Sequence, residues 1–152
     1  MAVEGDWPAC YKVNRYIKGF RNLMVKNMEK SCNFYSQIPG FKLEYGGTPA
    51  DTFTTFKIGN SSDTHLNLEL RNKNNDDNTN LDNLKTRIDF GRIIFHTDDV
   101  DGLYSYLKND NNILKLISFE NQPKDALWGE RFFHIRDPDG YQLSFAKPIR
   151  ET

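Results

Sequence analysis

Residues Trp128–Pro148, WGERFFHIRDPDGYQLSFAKP, hold the pattern that decides the fold. Asp137-Pro138-Asp139-Gly140 reads as a tight turn, because Pro138 presets φ, Asp side chains tolerate turn geometry and Gly140 supplies a positive φ. Strands are expected on either side, at about 130–136 and 141–146. In the later one Tyr141, Leu143 and Phe145 alternate with Gln142, Ser144 and Ala146, so one face packs on a helix while the other stays partly polar. A hairpin closing a one-sided sheet follows.

Upstream of this hairpin, Arg92–Thr97 (RIIFHT) reads as a strand, with Asp98 or Asp99 capping a helix through about Lys108. The tract Asn109–Asn112 ends that helix, and a further strand is expected at 113–119. The same order occurs earlier in the chain. Arg21–Lys26 (RNLMVK) is a strand, Asn27 an N-cap, and Met28–Gln37 a short helix stopped by Pro39-Gly40. Strands follow at about 41–46, 52–58 and 64–70, with Gly46-Gly47 in a hairpin turn. The halves align: Asn27 with Asp99, Phe34 with Tyr106, Phe56-Lys57-Ile58 with Phe133-His134-Ile135, and Leu68-Glu69-Leu70 with Leu143-Ser144-Phe145. In Thr64–Leu70 the leucines face the helix and His65, Asn67 and Glu69 the opposite side. Strand, cap, helix and three strands recurring in one order argue for duplication.

Between the halves, the stretch from Arg71 is nearly all Asn, Asp, Lys and Thr and reads as an exposed linker. The organisation is thus an N-terminal extension at 1–19, a first βαβββ module at 20–70, a linker at 71–90 and a second βαβββ module at 91–148. The expected fold class is α+β, two tandem modules forming a shared cleft.

Bulk properties narrow the function. The 152 residues, 38% hydrophobic and 27% charged, suit one compact unit with a real core. A net charge of -1 without a basic run argues against nucleic acid and anionic membranes as partners. Two cysteines, Cys10 and Cys32, are too few for a disulfide framework and suit free thiols in a reducing compartment. The acidic N-terminus does not read as a signal peptide, and no apolar run approaches a membrane span. A cytoplasmic protein is expected.

Two stretches resemble the vicinal-oxygen-chelate superfamily, the glyoxalase / bleomycin resistance / extradiol dioxygenase group. Met24–Phe41, MVKNMEKSCNFYSQIPGF, resembles its first βα unit, with Phe-Tyr near the helix end and Gly-Phe opening the next strand. Trp128–Pro148 carries the Trp-Gly, Arg, Phe and Asp-Pro-Asp-Gly features of its closing hairpin. The resemblance covers about residues 18–148.

In enzymes of that superfamily a divalent metal in the cleft polarises adjacent substrate oxygens. The resemblance carries its ligand positions to Phe20 and Glu69 in the first module and to Arg92 and Ser144 in the second. Phe20 cannot ligate, Arg92 repels a cation and Ser144 is a poor ligand, which leaves Glu69 as the retained position. A catalytic site normally needs about three protein ligands, so no metal cofactor is expected. A cluster of His65, Glu69 and His134 is the alternative, against the reading of both histidines as ordinary strand residues. The expected cleft is lined by Phe20, Asn22, Met24, Glu69, Arg92, Trp128 and Ser144. A Glu69–Arg92 ion pair across the module junction is an equal alternative to ligand contacts there. Apolar walls with a few polar groups suit a small organic ligand, partly aromatic or cationic.

The expected function is therefore metal-independent binding of a small molecule, as in the bleomycin-binding branch. The alternative is a metal-dependent lyase or isomerase, similar to lactoylglutathione lyase, or a dioxygenase. It would hold Zn, Ni, Mn or Fe with atypical ligands, Glu69 serving as ligand and proton shuttle. A third reading is an interaction module, with Trp7, Tyr11, Tyr16 and Phe20 covering the cleft or joining subunits. The resemblance implies a homodimer.

Overall fold

The computed structural model describes residues 19–60, 64–71 and 91–149, and for residues 19–21 the backbone alone. The N-terminal extension up to residue 18 and residues 72–90 of the expected linker lie outside the described residues.

Two sheets form, and their topologies repeat. The first contains β1 (Gly19–Val25), β2 (Phe41–Tyr45), β3 (Phe53–Ile58) and β4 (Thr64–Leu70) in the order β1-β4-β3-β2. β1 runs parallel to β4 and the other pairs are antiparallel. The second contains β5 (Arg92–His96), β6 (Ser118–Phe119), β7 (Lys124–Asp125), β8 (Glu130–Arg136) and β9 (Gln142–Pro148), in the order β5-β9-β8-β6 with β7 also on β8. Again the outer pair, β5 and β9, is parallel. Each parallel pair needs a crossover, and a helix supplies it. These are α1 (Met28–Tyr35) in the first module and α2 (Val100–Asn109), extended by α3 (Asn111–Leu114), in the second.

Local chemistry sets the helix ends. Asn27 is extended and accepts from the Lys30 amide at 3.0 Å, while Asp99 accepts from Gly102 at 2.9 Å. Each satisfies a first-turn amide that has no partner within its helix. The expected strand at 113–119 is corrected to Ser118–Phe119. Asp110 accepts from the amides of Asn112 and Ile113 and so starts one more helical turn, which places Ile113 in the core.

The register also corrects the alignment of the halves. Phe20 and Arg92 each stand seven residues before a cap, and their strand partners are His65 and Gln142. Two residues further on, Asn67 matches Ser144, and each is 4% exposed between two buried apolar neighbours. Leu66-Asn67-Leu68, not Leu68-Glu69-Leu70, therefore corresponds to Leu143-Ser144-Phe145. Because strand alternation has period 2, a slip of two residues keeps every side chain on its face and leaves no trace in the hydrophobic pattern.

One core spans both modules. Its aromatic thread runs from Tyr35 to Phe41 (ring centroids 6.1 Å apart), to Phe95 (5.1 Å) and to Phe145 (5.6 Å). The Asp137–Gly140 turn latches onto the first module. Asp137 Oδ1 accepts from the amides of Asp139 and Tyr141, closing the turn, and Oδ2 accepts from Tyr35 Oη at 2.6 Å. Asp139 accepts from the Lys26 amide at 2.8 Å and Ser31 Oγ at 3.1 Å, and Tyr141 Oη donates to Met24 O at 2.7 Å. Among the described residues no helix is long and apolar enough to cross a membrane.

Candidate functional site: the open faces of the two sheets

Each sheet packs its helix on one face; the opposite face is exposed at Met24, Glu69 and Ile94 but buried along its middle, at Asn67, Ser144, Ala146 and Phe132. On the first open face the register aligns cross-strand rows. Asn22, Asn67 and Thr55 form one row, with Asn67 Nδ2 donating to Asn22 Oδ1 at 2.8 Å and Thr55 Oγ1 donating to Asn67 Oδ1 at 3.0 Å. Met24, Glu69 and Phe53 form the next. His65 stands beside Lys57 and pairs with Glu44 at 2.9 Å. Phe20 lies opposite His65 in β1, and its side chain lies outside the described residues.

The second open face is richer in chemistry. Arg92, Gln142 and Arg136 form one row, Ile94, Ser144 and His134 the next, and His96, Ala146 and Phe132 the third. Arg92 Nη1 donates to Glu120 at 3.0 Å and to Leu143 O at 3.2 Å, and Arg136 Nε lies 3.3 Å from the same Glu120 oxygen. With the Gln142 amide oriented by its hydrogen bonds, its oxygen accepts from Arg92 Nη2 and Arg136 Nη2, both at 3.0 Å. At the other end, Trp128 is 73% exposed, stacks on Phe132 at 5.8 Å and donates to Glu130 at 3.0 Å. Lys124 Nζ sits 5.5 Å from the Phe132 ring, and His134 lies 4.6 Å from it. Burial, then the neighbouring Arg92 charge, lowers the His134 pKa, so its ring stays neutral at pH 7. His96 keeps Nδ1 buried without a hydrogen bond among the described residues.

A cavity of about 810 Å³ opens at the end of the first sheet, where β1 turns into α1. Lys26, Glu69, Arg71, Phe53 and Leu70 line it. Of the expected cleft residues it takes in Glu69, while the aromatic platform of Trp128 and Phe132 lies elsewhere, on the second sheet.

The family model described as Glyoxalase/Bleomycin resistance protein/Dioxygenase superfamily matches residues 14–145. The chain belongs to this superfamily. Solved structures share its fold. One, titled a glyoxalase/bleomycin resistance protein/dioxygenase family enzyme from Burkholderia phytofirmans PsJN, is 13% identical with a TM-score of 0.62. That match covers 86% of this chain and 97% of the other. A hypothetical protein, SA1046 from S. aureus, is 21% identical with a TM-score of 0.57, covering 84% and 94%. A glyoxalase-related enzyme from Fulvimarina pelagi is 13% identical with a TM-score of 0.60, covering 84% and 85%. No curated protein sequence matches the chain.

Where the resemblance to this superfamily placed metal ligands, the chain presents other chemistry. Glu69 stands beside Met24, four residues along from the Phe20 row, or about 13 Å at strand rise. By register its place belongs to Asn67, whose amide is engaged by Asn22 and Thr55. Arg92 brings a permanent positive charge, and Ser144 a hydroxyl. Phe20, Asn67, Arg92 and Ser144 do not fit a divalent cation as a donor set. His65, Glu69 and His134 are divided between two sheets, and the Arg92 partner is Glu120 rather than Glu69. Arg136 and Glu120 went unnoticed in the sequence. Alternation from Phe132 and His134 would have found Arg136, whereas Glu120 reaches the face only through the path of the segment after β6.

Proposed function

We propose that this superfamily member binds a small, partly aromatic organic molecule over its open sheet faces, without a metal. The observation carrying this reading is on the second sheet. An arginine engaged with Glu120 stands where the resemblance puts a metal ligand, on the face that also presents Trp128, exposed and stacked on the buried Phe132. Aromatic surface with a few fixed polar groups suits a small ligand. On this reading the protein is a cytoplasmic homodimer that sequesters its ligand without reacting with it.

A second reading, a metal-dependent lyase or isomerase of the lactoylglutathione lyase kind or a dioxygenase, rests on Glu69. Its exposed carboxylate lies on the wall of the 810 Å³ cavity. One experiment separates the two. Metal content is measured on protein purified without chelator, followed by thermal-shift titration with Zn²⁺, Ni²⁺, Mn²⁺ and Fe²⁺. Metal-independent binding predicts far less than one ion per chain and no shift. Near-stoichiometric metal, with stabilisation lost in Glu69→Ala, would replace it with the enzymatic reading.

A further inference from the structure

We propose that the hairpin tip Leu127-Trp128 inserts into the 810 Å³ cavity of a second copy of the chain, and that the pairing is reciprocal. Each Trp128 then closes over the Glu69 wall of the other copy. The proposal goes beyond the ligand-binding reading and supplies the contact for its homodimer.

The tip carries the first part of the argument. β7 and β8 are joined by Ala126-Leu127-Trp128-Gly129, where the Gly129 amide donates to Ala126 O at 3.0 Å and the Ala126 amide to Glu130 O at 2.7 Å. Gly129, at φ +89°, supplies the positive φ that lets the chain return. The turn therefore asks nothing of Leu127 and Trp128, at positions where small polar residues are usual. Leu127 is wholly exposed and Trp128 73% exposed. Ile149, whose amide donates to Gly129 O at 2.8 Å, adds a third exposed apolar side chain beside them. Trp128 is also fixed before any partner arrives, by its stack on Phe132 and its bond to Glu130. A contiguous apolar tip of this kind marks a contact surface.

The cavity carries the second part. Pro49, Phe53 and Leu70 give it apolar walls, with Lys26 and Glu69 on its polar side. The tip of a chain does not reach its own cavity. The bond from the Lys26 amide to Asp139 sets the cavity beside the start of β9, whereas the bond from Ile149 to Gly129 sets the tip at its end. The seven residues of β9 separate them by about 23 Å at strand rise. Tip and cavity can therefore meet only between chains, and a twofold pair makes the contact twice and closes at two copies. A tryptophan buries about 150–250 Å². With Leu127, Ile149 and the walls they cover, two such contacts approach the roughly 1,600 Å² of a specific interface. Both surfaces are mixed in charge, Lys26 with Glu69 at the cavity and Lys124 with Asp125 at the tip, so no net repulsion opposes the fit.

Sedimentation equilibrium tests the proposal. The wild type is expected to be dimeric. Leu127→Glu, at a wholly exposed position that the fold does not need, should weaken the dimer at least about tenfold. Pro49→Glu, on the cavity wall, should do the same. Mixing the two variants should restore association, because an intact tip then meets an intact cavity once. In Trp7→Phe protein, which keeps Trp128 as its single tryptophan, emission should shift to the blue as the dimer forms. A dimer that withstands either substitution, or a mixture that stays monomeric, overturns the contact while leaving the homodimer itself standing. A monomeric wild type removes both, and a blue-shifted Trp128 in that monomer would put another segment of the chain over the tip. Ligand binding is measured separately, so the ligand-binding reading survives or fails independently of these results.

Discussion

At the scale of single residues, the most consequential carboxylate is one the ligand pattern does not mention. Asp137 is 4% exposed, and burial pushes its pKa up to about 6 against the pull of hydrogen bonds from Tyr35, Tyr141 and Asp139. Burial, and then the same Asp137 contact, holds the Tyr35 hydroxyl well above its ordinary range. A carboxyl with a raised folded pKa stabilises while both states hold its proton. The unfolded chain loses that proton first as pH rises, so stability declines between about pH 4 and 6. Asp137→Asn should flatten this part of the melting-temperature profile, a change on the order of 2 kcal/mol across the window. An unchanged profile would contradict the assignment. Tyr35→Phe removes the donor to Asp137 and should cost about 1–3 kcal/mol in chemical denaturation at pH 7, where the carboxylate is ionised.

Among elements, the helix starts and the tight turns carry testable weight. Asn27→Ala and Asp99→Ala each remove a cap and should cost about 1 kcal/mol, additively because the two helices cap independently. Gly102 adds a less obvious case. A helical Gly→Ala change usually gains up to about 1 kcal/mol. Here a Cβ would collide with the Asp99 carboxylate that accepts from the Gly102 amide, so Gly102→Ala should give no stabilisation in urea titration. Gly46, at φ +73° and close against the Phe53 carbonyl, is held to glycine by both conformation and space. At this scale the sequence was readable. Both caps, the order of strands and the Asp137–Gly140 turn follow from residues a few positions apart. The expected strand at 113–119 misled because Asp110, read as part of a helix-ending tract, restarts a helical turn instead.

For the whole molecule, the latch and the shared aromatic thread make the two modules one cooperative body. Calorimetry should show a single transition with equal calorimetric and van't Hoff enthalpies. Tyr141→Phe, which loses the bond to Met24 O, should lower that transition without splitting it. Two separable transitions would show instead that the modules fold independently despite their common core.

The sequence by itself determined the α+β class and the duplicated βαβββ order, because these rest on local periodicity, caps and one turn motif, and the resemblance of Met24–Phe41 and Trp128–Pro148 pointed to the family. It also identified which side chains share a strand face, since alternation is a local property. Only the tertiary structure decided which of those side chains meet. Glu69 and Asn67 share a face two residues apart, and the pattern looks the same whichever is aligned with Ser144. Pairing with β1 resolves the choice in favour of Asn67. The Arg92–Glu120–Arg136 cluster draws on two strands, β5 and β8, and the segment after β6, and the Tyr35–Asp137 contact joins residues 102 positions apart. Such contacts depend on how strands pair and modules dock, and no short-range pattern in the chain encodes them.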